Sequence, residues 1–126
     1  MPPTSNKYPR AQVSLARLLI NQHASLGTPS GDDVVQASTA VGSLEGLMDG
    51  LEVHRLRADV LAAAIAHAEG GQPIPKEPIL GVAFRTGPLR AAAERELRTC
   101  ARISDSEHER YRFVDAANAV RPFTWT

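Results

Sequence analysis

Between Glu52 and Glu69 the chain carries apolar residues on two helical faces at once, and this stretch limits the possible fold more than any other. Val53, Leu56, Val60, Ala63 and Ala64 share one stripe of a helix, and Leu61, Ile65 and Ala68 share a second, about a third of a turn away. Only Glu52, Arg55, Asp59, Ala62 and Ala66 are left to face out. A helix with two apolar sides needs a neighbour against each, so the expected fold is all-α, with this helix its most buried member. Two starts are open to it. Either Ser43 is the cap, or Asp49 is, with Glu52 three residues on at the capping-box spacing; Gly46 and Gly50 weaken the helix between them.

The rest of the chain supplies the neighbours. A first helix is expected from about Tyr8 to Ser25, with Tyr8, Ala11, Leu15, Leu18, Leu19 and Gln22 on one face and Pro9 in its first turn. Gly27 to Gly31 breaks the pattern, and Ser30 can cap a short helix from about Asp32 to Val41. Adjacent Asp32 and Asp33 suit the positive end of that helix better than a metal, because neighbouring carboxylates point to different faces. After the doubly apolar helix, residues 70–78 hold two glycines and three prolines and must be an irregular connection. Ile79 to Phe84 has strand-like composition but no partner strand, so a short turn or apolar plug is expected. Thr86 is placed as the cap of a helix running to about Arg102, with Leu89, Ala93, Leu97 and Cys100 facing inward. Ser104-Asp105-Ser106-Glu107 reads as a capping box opening the last helix, which Pro122 ends. The short connection forces these two helices antiparallel. The expectation is one helical domain over residues 1–126, with about five helices and a single long loop at 70–78.

Composition removes several classes of function. Fourteen basic residues balance fourteen acidic ones, so no global field draws the chain to nucleic acid or to an anionic membrane. The single cysteine forms no internal disulfide, and no apolar run approaches the roughly 18 residues of a membrane span, so a soluble cytoplasmic protein is expected. The histidines His23, His54, His67 and His108 are never four apart, which argues against a metal site. His67, beside an apolar stripe, reads as a satisfied interior group, and inward-facing Cys100 as a small apolar filler rather than a nucleophile. Neither a phosphate-binding glycine loop nor a kinase His-Arg-Asp or Asp-Phe-Gly motif occurs, so no phosphoryl transfer is expected. Arg95, Arg98 and Arg102 share the outer face of their helix as a possible basic face, although Glu94 is placed to pair with Arg98.

The closing helix, Arg110 to Pro122, puts Phe113, Ala116, Ala117 and Val120 on one side and His108, Arg112, Asp115 and Asn118 on the other. Its wording, Tyr111-Arg112-Phe113-Val114-Asp115-Ala116-Ala117-Asn118-Ala119-Val120-Arg121-Pro122, resembles the extreme C-terminus of the actinobacterial protein kinase G family. Ile79-Leu80-Gly81, Phe84, Leu89-Arg90 and the helix to Ala101-Arg102 resemble the preceding part of that region, and Pro3-Thr4-Ser5 with Tyr8 its beginning. The likeness spans most of the chain and is looser between about Ala37 and Asp59.

The resemblance implies the end of a tetratricopeptide-like α-solenoid, built of antiparallel helix pairs and following a serine/threonine kinase domain. That repeat is not legible as a 34-residue period here; the implication comes from the family alone. It implies a non-catalytic interaction and stabilising region that supports kinase stability or dimerisation. Protein partners are expected, either the kinase domain or a second copy, and neither membrane nor nucleic acid. ATP and a divalent metal would belong to the kinase domain, so no cofactor is expected in this segment. The alternative is a free-standing helical adaptor that regulates an enzyme in trans. Phe113, Ala117 and Val120 are the expected seal on the last layer, with Asp115, Asn118 and Arg121 fixing its orientation.

Overall fold

A computed structural model describes residues 30–43, 50–71 and 73–122. Those residues form four α-helices: α1 (Gly31–Gly42), α2 (Gly50–Glu69), α3 (Thr86–Ile103) and α4 (Glu107–Val120). The helix expected from Tyr8 to Ser25 lies outside the described residues, as does the Asp49 cap.

Each helix packs on its neighbours in the chain, α1 on α2, α2 on α3 and α3 on α4. Side-chain pairs give the directions. Glu69 at the end of α2 meets Arg90 near the start of α3, and His54 near the start of α2 meets Glu96 further along α3. Arg90 also reaches the carbonyl of Val120 at the end of α4, while Arg110 near its start reaches Ser104, so α2, α3 and α4 alternate in direction. The two apolar sides of α2 are used as expected: Val53, Val60, Leu61, Ala63, Ala64 and Ile65 are buried, whereas Glu52, Arg55, Asp59 and Ala62 are exposed. With Val34, Ala37, Val41, Ile79, Phe84, Leu89, Ala92 and Ala93, most of them make one core running through α1, α2 and α3.

Three caps differ from expectation. Ser43 closes α1 instead of opening α2, its hydroxyl donating to the Ala40 carbonyl at 2.6 Å. Arg85, with no capping side-chain bond, precedes α3, and Thr86 is already helical. Ser104 does not open α4; it is buried at the end of α3, donating to the Cys100 carbonyl at 2.8 Å. Ser106 is the cap, accepting from the Glu109 N–H at 3.2 Å. The same box spacing recurs two residues later, at Ser106 and Glu109, and Ser104 is committed to the preceding helix. Ser30 caps α1 as expected, accepting from the Asp33 N–H at 3.1 Å.

The Pro-rich connection ends in a tight two-residue turn that plugs the core. Ile79 and Val82 exchange both backbone hydrogen bonds at 2.8 Å, and Leu80 and Gly81 between them have φ of 50° and 78°. Positive φ at both central residues marks a type I′ turn, which glycine adopts freely and leucine only under strain. Ser38 of α1 holds Leu80 there, its hydroxyl accepting the Leu80 N–H at 2.8 Å. Ile79 is fully buried and Phe84 nearly so. His67, 2% exposed, meets the Phe84 ring edge-on at 5.6 Å and donates from Nε2 to the Pro73 carbonyl at 2.8 Å, fastening the loop to α2.

Candidate functional site

Between α2 and α3 lies a half-buried ion network centred on Glu96. Its carboxylate accepts from Arg57 Nε at 2.9 Å and from His54 Nδ1 at 2.6 Å. A His–Glu pair with Cys100 one helical turn on has the residue types of a nucleophilic site. Cys100, however, is fully buried, and burial, assisted by the Glu96 charge, pushes its thiol up to about 11. A thiol held in the protonated form is no nucleophile at neutral pH, so the network's work is to join α2 to α3.

Arg90 joins three helices. It forms a two-pronged pair with Glu69, Nε to Oε2 at 2.8 Å and Nη2 to Oε1 at 3.1 Å, and its Nη1 donates to the Val120 carbonyl at 3.0 Å. A cation there also suits the negative end of α4. Sequence reading assigned no role to Arg90 beyond its place in a family-like dipeptide. The available signal was a basic residue beside the inward Leu89, but its partners are 21 and 30 positions away.

The expected basic face divides. Arg95 and Arg102 are exposed on α3, with Arg102 donating to Thr99 Oγ1 at 3.1 Å. Arg98 is turned toward α4: it pairs with Glu94 at 2.7 Å, as the spacing indicated, and donates to Asn118 Oδ1 at 2.9 Å. On the closing helix Ala117 is fully buried, whereas Phe113 and Val120 are half-buried, the latter packed against the core. Arg121 ends the helix through its backbone N–H to the Ala117 carbonyl at 3.1 Å, while Asp115 is exposed on the outer side.

Because α2 and α4 both lie antiparallel to α3, they run side by side and leave a groove over it. One cavity of about 190 Å³ is lined by Arg55, Leu97, Glu109, Arg112, Phe113 and Ala116. Further along, Ala62, Ile65, Arg90, Ala119 and Val120 line another of about 290 Å³. Among the described residues no cluster of His, Cys, Asp or Glu could hold a metal, and no helix is long and apolar enough to cross a membrane.

Comparison with known proteins agrees with an all-helical region. The family model described as protein kinase G tetratricopeptide repeat matches residues 1–124. The serine/threonine-protein kinase PknG of Mycobacterium leprae is 31% identical over 122 residues, which is 97% of this chain and 16% of the relative. Its namesake from Mycolicibacterium smegmatis is 31% identical over 126 residues, covering 98% of this chain and again 16% of the relative. The chain therefore corresponds to a small share of those kinases' length.

Proposed function

Since this chain belongs to the protein kinase G tetratricopeptide repeat family, we propose that it is a non-catalytic contact region that stabilises a soluble, cytoplasmic serine/threonine kinase and supports its dimerisation. The observation that carries this reading is the form of α4. Its inner side is pinned to α3 by Ala117, Asn118 and the Val120 carbonyl, and its outer side presents His108, Tyr111 and Asp115 to solvent. A polar outer face suits a helix that is not covered by a further repeat. On this reading residues 1–126 act as one helical unit whose partners are the kinase domain or a second copy. ATP and metal are handled by the kinase domain.

Sedimentation velocity over a wide concentration range tests dimerisation: self-association that grows with concentration is expected, and a strictly monomeric profile at high concentration counts against it. Stabilisation is tested in the Mycolicibacterium smegmatis relative. Removing its matching region should lower the kinase's melting temperature, and an unchanged transition would remove the stabilising role.

A further inference from the structure

We infer that the proline-rich strap Pro73-Ile74-Pro75-Lys76-Glu77-Pro78 is a preformed ligand for an aromatic-lined groove on a protein partner, with Ile74 as the side chain that enters it. This deepens the reading of the chain as a protein-contact region and rests on it. Ile74 is 49% exposed, while Ile79 at the end of the strap is fully buried. The strap is fastened on both sides of Ile74. Before it, the Pro73 carbonyl takes the Nε2 hydrogen bond of buried His67 at 2.8 Å. After it, Pro75 lies so close to the start of α1 that a Cβ on Gly31 would come within 2.7 Å of Pro75 Cγ, and glycine alone leaves the proline that room. Ile79 then anchors the far end in the core. The prolines fix φ at their own positions, and Pro75 confines Ile74 to extended backbone. A large apolar side chain is thus held in water at a fixed place, and a partner that binds it has little left to order.

The chemistry of the strap sets the partner's class. Among the described residues the backbone of residues 74–78 makes no hydrogen bond, so its carbonyls are open to a donor. Proline rings offer flat apolar faces, and an aromatic side chain that carries an N–H or O–H, tryptophan or tyrosine, meets the faces and the carbonyls at once. Beside Ile74 lies a cavity of about 350 Å³ whose walls include Asp32 at the start of α1 and Glu77 of the strap. Two carboxylates there disfavour an acidic group or a phosphate backbone and suit an indole N–H. Lys76 and Glu77 are both exposed and cancel in charge, so the strap has no basic cluster to draw it to an anionic membrane. None of its residues lines the two cavities over α3, which makes it a separate surface.

The test is isoleucine-methyl NMR of the whole chain with three small probes: indole, N-methylindole and cyclohexanol. The control is Ile103, 42% exposed at the end of α3. Indole should move the Ile74 δ1 methyl along a saturable curve, by at least about three times the shift at Ile103. N-methylindole, with no N–H to give, and cyclohexanol, with no ring face, should each bind at least about threefold more weakly. Ile74→Ser should weaken indole binding by about fivefold or more, read at the Lys76 and Glu77 amides. The replaced side chain is exposed, and a matching circular dichroism melt would show that the fold is kept. No shift with indole, an equal shift at Ile103, equal binding of cyclohexanol, or a larger response of Ile74 to phosphatidylglycerol vesicles than to indole would each overturn the proposal. If indole leaves Ile74 unmoved while the chain still self-associates, the strap falls and the contact-region reading stands. Indole binding at Ile74 in a chain that stays monomeric supports the strap and removes dimerisation.

Discussion

Arg90 and Glu69 form a two-pronged ion pair at 2.8 and 3.1 Å that ties the start of α3 to the end of α2. The third arm of the guanidinium holds the Val120 carbonyl, so a single side chain brings three helix termini together. The planar fork sets both bonds to the carboxylate at once, a geometry that a lysine ammonium does not reproduce.

Replacing Arg90 should therefore loosen α4 as well as the α2–α3 contact. Arg90→Ala is expected to cost about 1 to 3 kcal/mol in urea unfolding, because the arginine is largely buried and its charge-assisted bonds exceed those of an open surface pair. Arg90→Lys should recover less than half of that. Hydrogen exchange in the last turn of α4 should speed up in both variants, and an unchanged rate would limit Arg90 to the α2–α3 pair.

Phe113 and Leu89 should separate in size of effect. Leu89 is fully buried in the main core, so Leu89→Ala is expected to cost about 2 to 5 kcal/mol. Phe113 is half-buried at the groove, and Phe113→Ala should fall below that, at about 1 to 2 kcal/mol. Paired thermal or urea melts decide it. A Phe113→Ala loss as large as that of Leu89→Ala would place the closing helix's seal on its aromatic residue rather than on Ala117.

Cys100 should be silent to thiol reagents in the folded protein and reactive once it is unfolded. The raised folded value has a consequence in alkali. Below about pH 9 the thiol is protonated in both states and contributes no pH dependence; between 9.0 and about 11 the unfolded chain loses the proton while the native chain keeps it. Stability should therefore fall through that window, and Cys100→Ala should flatten that part of the curve. A wild-type stability that is level from pH 9 to 11, or native labelling as fast as that of the unfolded chain, would contradict this environment.

Periodicity alone determined the helical character of the described chain, the double-sided burial of α2, the irregular passage through residues 70–78 and the inward Leu89, Ala93 and Cys100. These follow from local rules: apolar spacing at the helical repeat, prolines and glycines that cannot continue a helix, and capping oxygens beside free N–H groups. Wherever two local solutions were nearly equal, tertiary contacts chose. Ser104 and Ser106 both precede a glutamate by three residues, and burial against Cys100 took Ser104 for the end of α3. Leu80 adopts a left-handed conformation that its sequence disfavours because Ser38, 42 positions earlier, accepts its N–H while Ile79 fills the core. Arg98 left the expected basic face for Asn118, whereas Arg55 and Arg112, far apart in the chain, came to line one groove. A short-range pattern sets which face of a helix is apolar. Which polar groups meet across helices depends on the packing of those faces, and only the assembled fold supplies it.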